Sequence, residues 1–144
     1  EKRKNLKPEA VWEIENGLTL SGQDIYDAAL KKSKWYNSAS ELFEKFDLLV
    51  LPSTQVWPFD LAEIYPVSIK NEKMDTYHRW MQVTIPAGLL GLPVVNIPIG
   101  FGKTGLPAGI QLIGSKGSDG YILSIAQAWH EHTKWPYVNI PNFS

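Results

Sequence analysis

The amino-acid sequence predicts an α/β fold, a mixed β-sheet flanked by helices, and three observations predict it. Residues 21–46 repeat their apolar positions at helical spacing over a long stretch. Residues 94–100 and 108–113 alternate as strands do, and the link between them is too short for parallel neighbours. Residues 118–135 then carry another helical stripe behind a serine or aspartate cap.

Each element has its own local reason. Pro8 stands where a first helical turn tolerates proline, acidic residues follow, and Gly17 is a natural stop, so 8–16 reads as a helix. Ser21 and Asp24 have capping-box spacing and open the long helix. Its apolar stripe is Ile25, Ala28, Ala29, Trp35, Tyr36, Ala39, Leu42, Phe43 and Phe46. The stretch DLLVLPS, 47–53, is too short for a buried helix and reads as a buried strand. Residues 54–73 hold two prolines and no period, a loop long enough to form the wall of a site. Tyr77, Trp80, Met81 and Ile85 share one helical face, which predicts a helix over 75–90 that kinks or ends at Pro86. Along the next strand Val95, Ile97 and Ile99 alternate onto one face, and Gly109, Gln111 and Ile113 share a face of the return strand. Small Gly109 lets a neighbouring backbone or helix come close. The closing helix buries Ile122, Ile125, Ala126 and Trp129.

The composition excludes several functions. At 144 residues the chain has the size of one domain. Fourteen basic against fifteen acidic residues leave a net charge of -1, with no basic stripe for nucleic acid. Absent cysteine removes disulfides and thiolate chemistry. No apolar run reaches a membrane-spanning length. The N-terminus, EKRKNLKPEA, has neither an initiator methionine nor an apolar signal core, and reads as the middle of a longer polypeptide. With no targeting signal present, a cytoplasmic location is the default.

The chemical motifs are incomplete. Gly102-Lys103-Thr104 has the ending of a phosphate-binding loop, but the glycine required at 97 is Ile97 and no helix follows. A solvated hairpin tip accounts for it better. His130 and His132 lie two apart and face different sides of a helix, with no further ligand cluster, so no metal and no cofactor is implied. No Gly-x-Ser-x-Gly elbow surrounds Ser21, Ser115 or Ser118. Asn142-Phe143-Ser144 fits a glycosylation sequon, a tripeptide common by chance. Trp57, Phe59 and Tyr65 fit either the lining of an apolar pocket or a satellite core.

Several stretches together resemble the C-terminal third of the amidase signature family, the Ser-Ser-Lys amide hydrolases. The most specific is GLLGLPVVNIPIGFGKTGLPAGIQLIG, residues 88–114. FDLLVLPSTQVWPF (46–59), VWEIENGLTLS (11–21) and ILSIAQAWHEHTKW (122–135) are near-matches in the right order, covering about residues 9–135. The resemblance implies hydrolysis of carboxylic amides through a serine nucleophile, with a second serine relaying protons to a lysine. The family's lysine and Gly-Ser-Ser-Gly segment lie upstream of the matched part, and no GSSGG occurs here. No catalytic residue is therefore assigned, and Ser53 and Lys103 do not fill the gap.

On this reading residues 1–144 are the C-terminal segment of a single larger amidase domain. Its partners are the upstream part of the same polypeptide and a small-molecule amide; nucleic acid and membrane are not among them, and homo-oligomerisation stays open. Gln55, Trp57 and Phe59 are the candidate substrate-binding residues, suited to an aryl or alkyl acyl amide. The alternative is a stand-alone, non-catalytic binding or assembly module.

Overall fold

A computed structural model describes residues 2–140; the Asn142-Phe143-Ser144 tripeptide lies outside them. The chain divides into two units, one ending at Ser38 and one beginning at Ala39.

In the first unit a 3-10 turn, Lys2–Asn5, precedes helix α1, Pro8–Thr19, with Pro8 in its first turn. The helix runs past the expected stop at Gly17 to Thr19. Gly17 has no positive φ, so the left-handed cap is not used. Leu20 instead leaves the helix in an extended conformation, its N–H donating to the Gly17 carbonyl. Helix α2, Gly22–Phe43, begins in this unit and ends in the other. Its capping box forms: the Ser21 N–H donates to Asp24 Oδ2 at 2.8 Å, and the Asp24 N–H donates back to Ser21 Oγ at 3.2 Å. The anticipated apolar stripe is less covered than its period suggests. Ile25 is 61% exposed, Ala39 alone is fully buried on this helix, and Phe46 lies beyond its end. Periodicity is enough to form the helix, whereas covering its stripe requires a neighbour.

The second unit is built on a three-stranded sheet in the order β1-β5-β4: β1 is Leu49–Pro52, β4 Val94–Phe101 and β5 Pro107–Ile113. Every pairing among the described residues is antiparallel. β1 is an edge strand, not the buried strand expected. Its residues alternate half-buried and exposed because only β5 flanks it. Within the 54–73 stretch a short hairpin forms from β2, Ser68–Ile69, and β3, Glu72–Lys73, with Lys70 at positive φ in its turn.

The expected helix over 75–90 is broken into three. α3 covers Tyr77–Trp80, a 3-10 turn covers Gln82–Thr84, and α4 covers Ile85–Leu90. Pro86 opens α4, where its missing N–H costs nothing, and does not end a helix. Gly91, at φ 65°, closes α4 in the left-handed cap.

The β4–β5 hairpin carries the core. Ile97, Leu112 and Ile113 are buried, as is Ile122 on α5, Asp119–Thr133, which packs on both strands. Gly114 lies so near α5 that an added Cβ would run into Ser118 and Ile122. Ser118 is the N-cap residue, but its hydroxyl donates to the Ser115 carbonyl and makes no side-chain cap. The final helix, α6, is Trp135–Val138. Gly102, Lys103, Thr104 and Gly105 form the hairpin tip. The Gly105 N–H reaches the Gly102 carbonyl at 3.0 Å, and Gly105 takes φ 78°.

One expected alternation fails. The register slips between Pro98 and Gly100, so Ile99 is the extra residue of a β-bulge. Ile99 is 39% exposed and leaves the Val95–Ile97 face. Gly100, at φ 120°, is buried there instead, against the Trp135 ring. Pro98 sits where β4 turns its backbone groups away from β5, so its missing N–H breaks no ladder bond. Its carbonyl accepts from Trp129 Nε1 at 2.8 Å. No helix among the described residues is long and apolar enough to cross a membrane.

Candidate functional site

The chain leaving β1 builds one side of an open groove of about 420 Å³. Pro52 ends the strand, and the Ser53 N–H still reaches the Gly109 carbonyl at 3.0 Å, which sets the direction in which the loop departs. Ser53 through Phe59 then run along the groove. Trp80, Ile99, Pro107, Ala108, Gly109 and Ile110 supply the rest of the lining.

Each position has a visible cause. Gly109 has no side chain because a Cβ there would lie 2.9 Å from Ser53 Oγ and 3.2 Å from the Ile97 carbonyl. The close neighbour foreseen for this glycine is thus the side chain and backbone of the flanking strands. Gly102 plays the same part for an aromatic ring: an added Cβ would lie 2.8 Å from Cζ3 of Trp57. Its smallness seats the Trp57 indole, in addition to any help it gives the turn. Phe59 packs edge-on against Trp80 with ring centroids 5.7 Å apart. Trp80 meets Tyr77 at 6.0 Å, and Tyr77 meets Tyr65 at 5.9 Å. The two readings of the aromatic cluster therefore divide between its members. Trp57 and Phe59 line the groove, while Tyr65 belongs to the aromatic row behind it.

Gln55, Trp57 and Phe59 are brought together on the same wall. Periodicity places Trp80 on a helix face and Ile99 on a strand face, yet both line the groove. Pro98 and Gly100 on either side of Ile99 are the local signal that marks a bulge. Nothing local marks Trp80, whose place depends on the break after α3.

Ser53, Thr54 and Gln55 each make an internal hydrogen bond. Ser53 Oγ donates to Asn96 Oδ1 at 2.9 Å, and Thr54 Oγ1 donates to the Val56 carbonyl at 2.6 Å. Gln55 Oε1 accepts from the Val83 N–H at 3.1 Å. Behind the groove Gln111, 4% exposed, donates from Nε2 to the carbonyls of Pro52 at 2.8 Å and Val83 at 3.2 Å. Among the described residues no charged side chain lines the groove. Ser53 faces an amide oxygen, and no basic partner of its hydroxyl occurs among the described residues. Lys103 stays on the exposed hairpin tip. Among the described residues no group of three metal-ligating side chains occurs, and His130 instead packs on the Tyr137 ring at 5.8 Å.

The groove is mainly apolar and lies beside an antiparallel sheet, a setting in which small-molecule sites commonly form. Comparison with known proteins makes this specific. The Amidase family profile matches residues 2–123, and the chain belongs to the amidase signature family. It is 38% identical over 90 residues to a fatty acid amide hydrolase of Medicago truncatula, covering 61% of this chain and 14% of that one. It is 34% identical over 140 residues to one subunit of the glutamyl-tRNA(Gln) amidotransferase of Dehalococcoides mccartyi. That match covers 92% of this chain and 27% of its relative. The solved structure of a bacterial aryl acylamidase of the amidase signature family superposes with a TM-score of 0.82 at 25% identity, over 94% of this chain and 28% of the acylamidase. The chain thus spans well under a third of the length of these relatives.

Proposed function

We propose that residues 1–144 are the C-terminal segment of a single amidase domain that hydrolyses the C–N bond of carboxylic amides. In this reading the serine nucleophile, the relay serine and the lysine base belong to a preceding part of the polypeptide. The present chain contributes sheet, helices and one wall of the substrate cleft. The observation that carries the reading is the groove itself, which Gln55, Trp57 and Phe59 line together. Its apolar, uncharged lining suits the aryl or alkyl part of an acyl amide, and burying a ring of that size contributes about 1.5–3 kcal/mol. Similarity to an aryl acylamidase and to a fatty acid amide hydrolase supports the same substrate class.

Within this mechanism the wall binds and orients, and the chemistry proceeds elsewhere. Holding the apolar end of the amide fixes where its carbonyl carbon lies, so that attack by an external serine becomes a positioned, effectively intramolecular event. The test compares the 144-residue chain with the product of its complete upstream reading frame on acyl anilides and alkyl amides. Turnover by the longer protein alone is the expected result. Reproducible hydrolysis by the purified chain, or a start codon directly before Glu1, overturns the reading and leaves a non-catalytic binding module.

A further inference from the structure

The three polar side chains of the 53–55 segment do not offer the same thing to a ligand. The hydroxyl protons of Ser53 and Thr54 are both committed, to Asn96 Oδ1 and to the Val56 carbonyl. Gln55 is in the opposite state. Its Oε1 accepts from the Val83 N–H, which assigns the two ends of the amide: oxygen toward Val83, nitrogen away from it. Val83 is also held at its carbonyl, which accepts from the buried Gln111. The Gln55 Nε2 protons have no hydrogen-bond partner among the described residues. Trp80 also lines the groove and has an N–H without a partner among those residues, but that atom is enclosed and out of reach of solvent.

We infer that Gln55 Nε2 is a specificity-determining hydrogen-bond donor, which makes the groove select apolar groups that carry an acceptor such as a carbonyl oxygen. The inference rests on the groove's being a ligand site, as proposed above, and adds the polarity of its recognition. A half-buried donor held at its oxygen by the backbone gives a directional contact in a mainly apolar cleft. An acceptor on the ligand satisfies it, whereas an apolar isostere leaves it desolvated and unpaired.

The experiment titrates the product of the complete reading frame with acetophenone and with α-methylstyrene, two planar isosteres that differ by an acceptor oxygen. Chemical shifts of the Gln55 side-chain amide are followed by NMR. Tighter binding of acetophenone, by about 2- to 10-fold for one neutral hydrogen bond, with movement of the Gln55 amide resonances, is the expected outcome. Gln55→Glu keeps an oxygen for Val83 but has no proton to donate near neutral pH, so it removes the preference. Equal affinities in the wild type, or a preference that survives Gln55→Glu, overturn the inference and leave the groove reading standing. Binding of neither compound overturns both. The wild-type comparison decides the matter even where the variant fails to fold.

Discussion

At the scale of single residues, glycines decide where the groove's rings can lie. Gly102 is not at positive φ, and the reason for its small size is the Trp57 ring across from it. Gly102→Ala forces that ring to move. Because Trp57 is 61% exposed, its ring moves without disturbing the core. Stability is expected to change by no more than about 0.5 kcal/mol, while affinity for aryl ligands falls to the level of Trp57→Ala. Unchanged affinity in Gly102→Ala would sever the link between the glycine and the ring. Asp24 is a second residue with a readable role. Hydrogen bonds from the Ser21 hydroxyl and backbone N–H hold its carboxyl below the usual carboxylate range. A depressed folded value means that the cap's contribution is complete above the unfolded value and is lost as pH falls through the folded one. Helicity measured by circular dichroism should therefore differ between wild type and Asp24→Ala near neutral pH and converge in acid. A difference independent of pH would show that the charge of Asp24 has no part in the cap.

At the scale of elements, the broken segment over 77–90 is held to the sheet by side chains from other strands. Gln111, on the central strand β5, donates to the carbonyls of both Pro52 and Val83, and so ties the end of β1 to the 3-10 turn. Gln111→Leu fills similar space but leaves two acceptors without their donor. The expected cost is about 1–3 kcal/mol, read as a lower Tm and as faster amide exchange at Val83. A variant as stable as the wild type would mean that water replaces the glutamine at both carbonyls. The bulge at Ile99 works at the same scale. One extra residue releases an isoleucine from the sheet face to the groove and places a glycine under Trp135.

For the molecule as a whole, both outer strands of the three-stranded sheet pair on one side only among the described residues. The outer edge of β4 is closed at Pro98, which has no N–H and whose carbonyl is taken by Trp129, but Val94 and Asn96 turn their backbone groups outward. Exposed apolar side chains, including Leu18, Ile25 and Leu61, add surface that water covers poorly. If the chain is one segment of a larger domain, the purified 144 residues self-associate, and the complete polypeptide does not. Sedimentation of both at matched concentration checks this; a monodisperse monomeric chain would favour the stand-alone module.

Much of this protein was legible in its residues because the physics involved is local. The Ser21–Asp24 cap, the long helix, the Gly102–Gly105 hairpin tip and the Ile122 stripe each depend on neighbours within a few positions. The same is true of the family, whose most specific motif is the continuous 88–114 hairpin. The wall residues Gln55, Trp57 and Phe59 were accessible as a patternless aromatic loop, which is how irregular surface segments look in sequence. What only the tertiary structure decided depends on partners distant in the chain. The edge position of β1 and the exposure of the α2 stripe reflect which neighbours are present to cover them. The division of 75–90 into three pieces, the groove positions of Trp80 and Ile99, and the two-carbonyl role of Gln111 reflect hydrogen bonds and ring contacts between residues tens of positions apart. Periodicity records which side chains avoid water; it does not record what they meet.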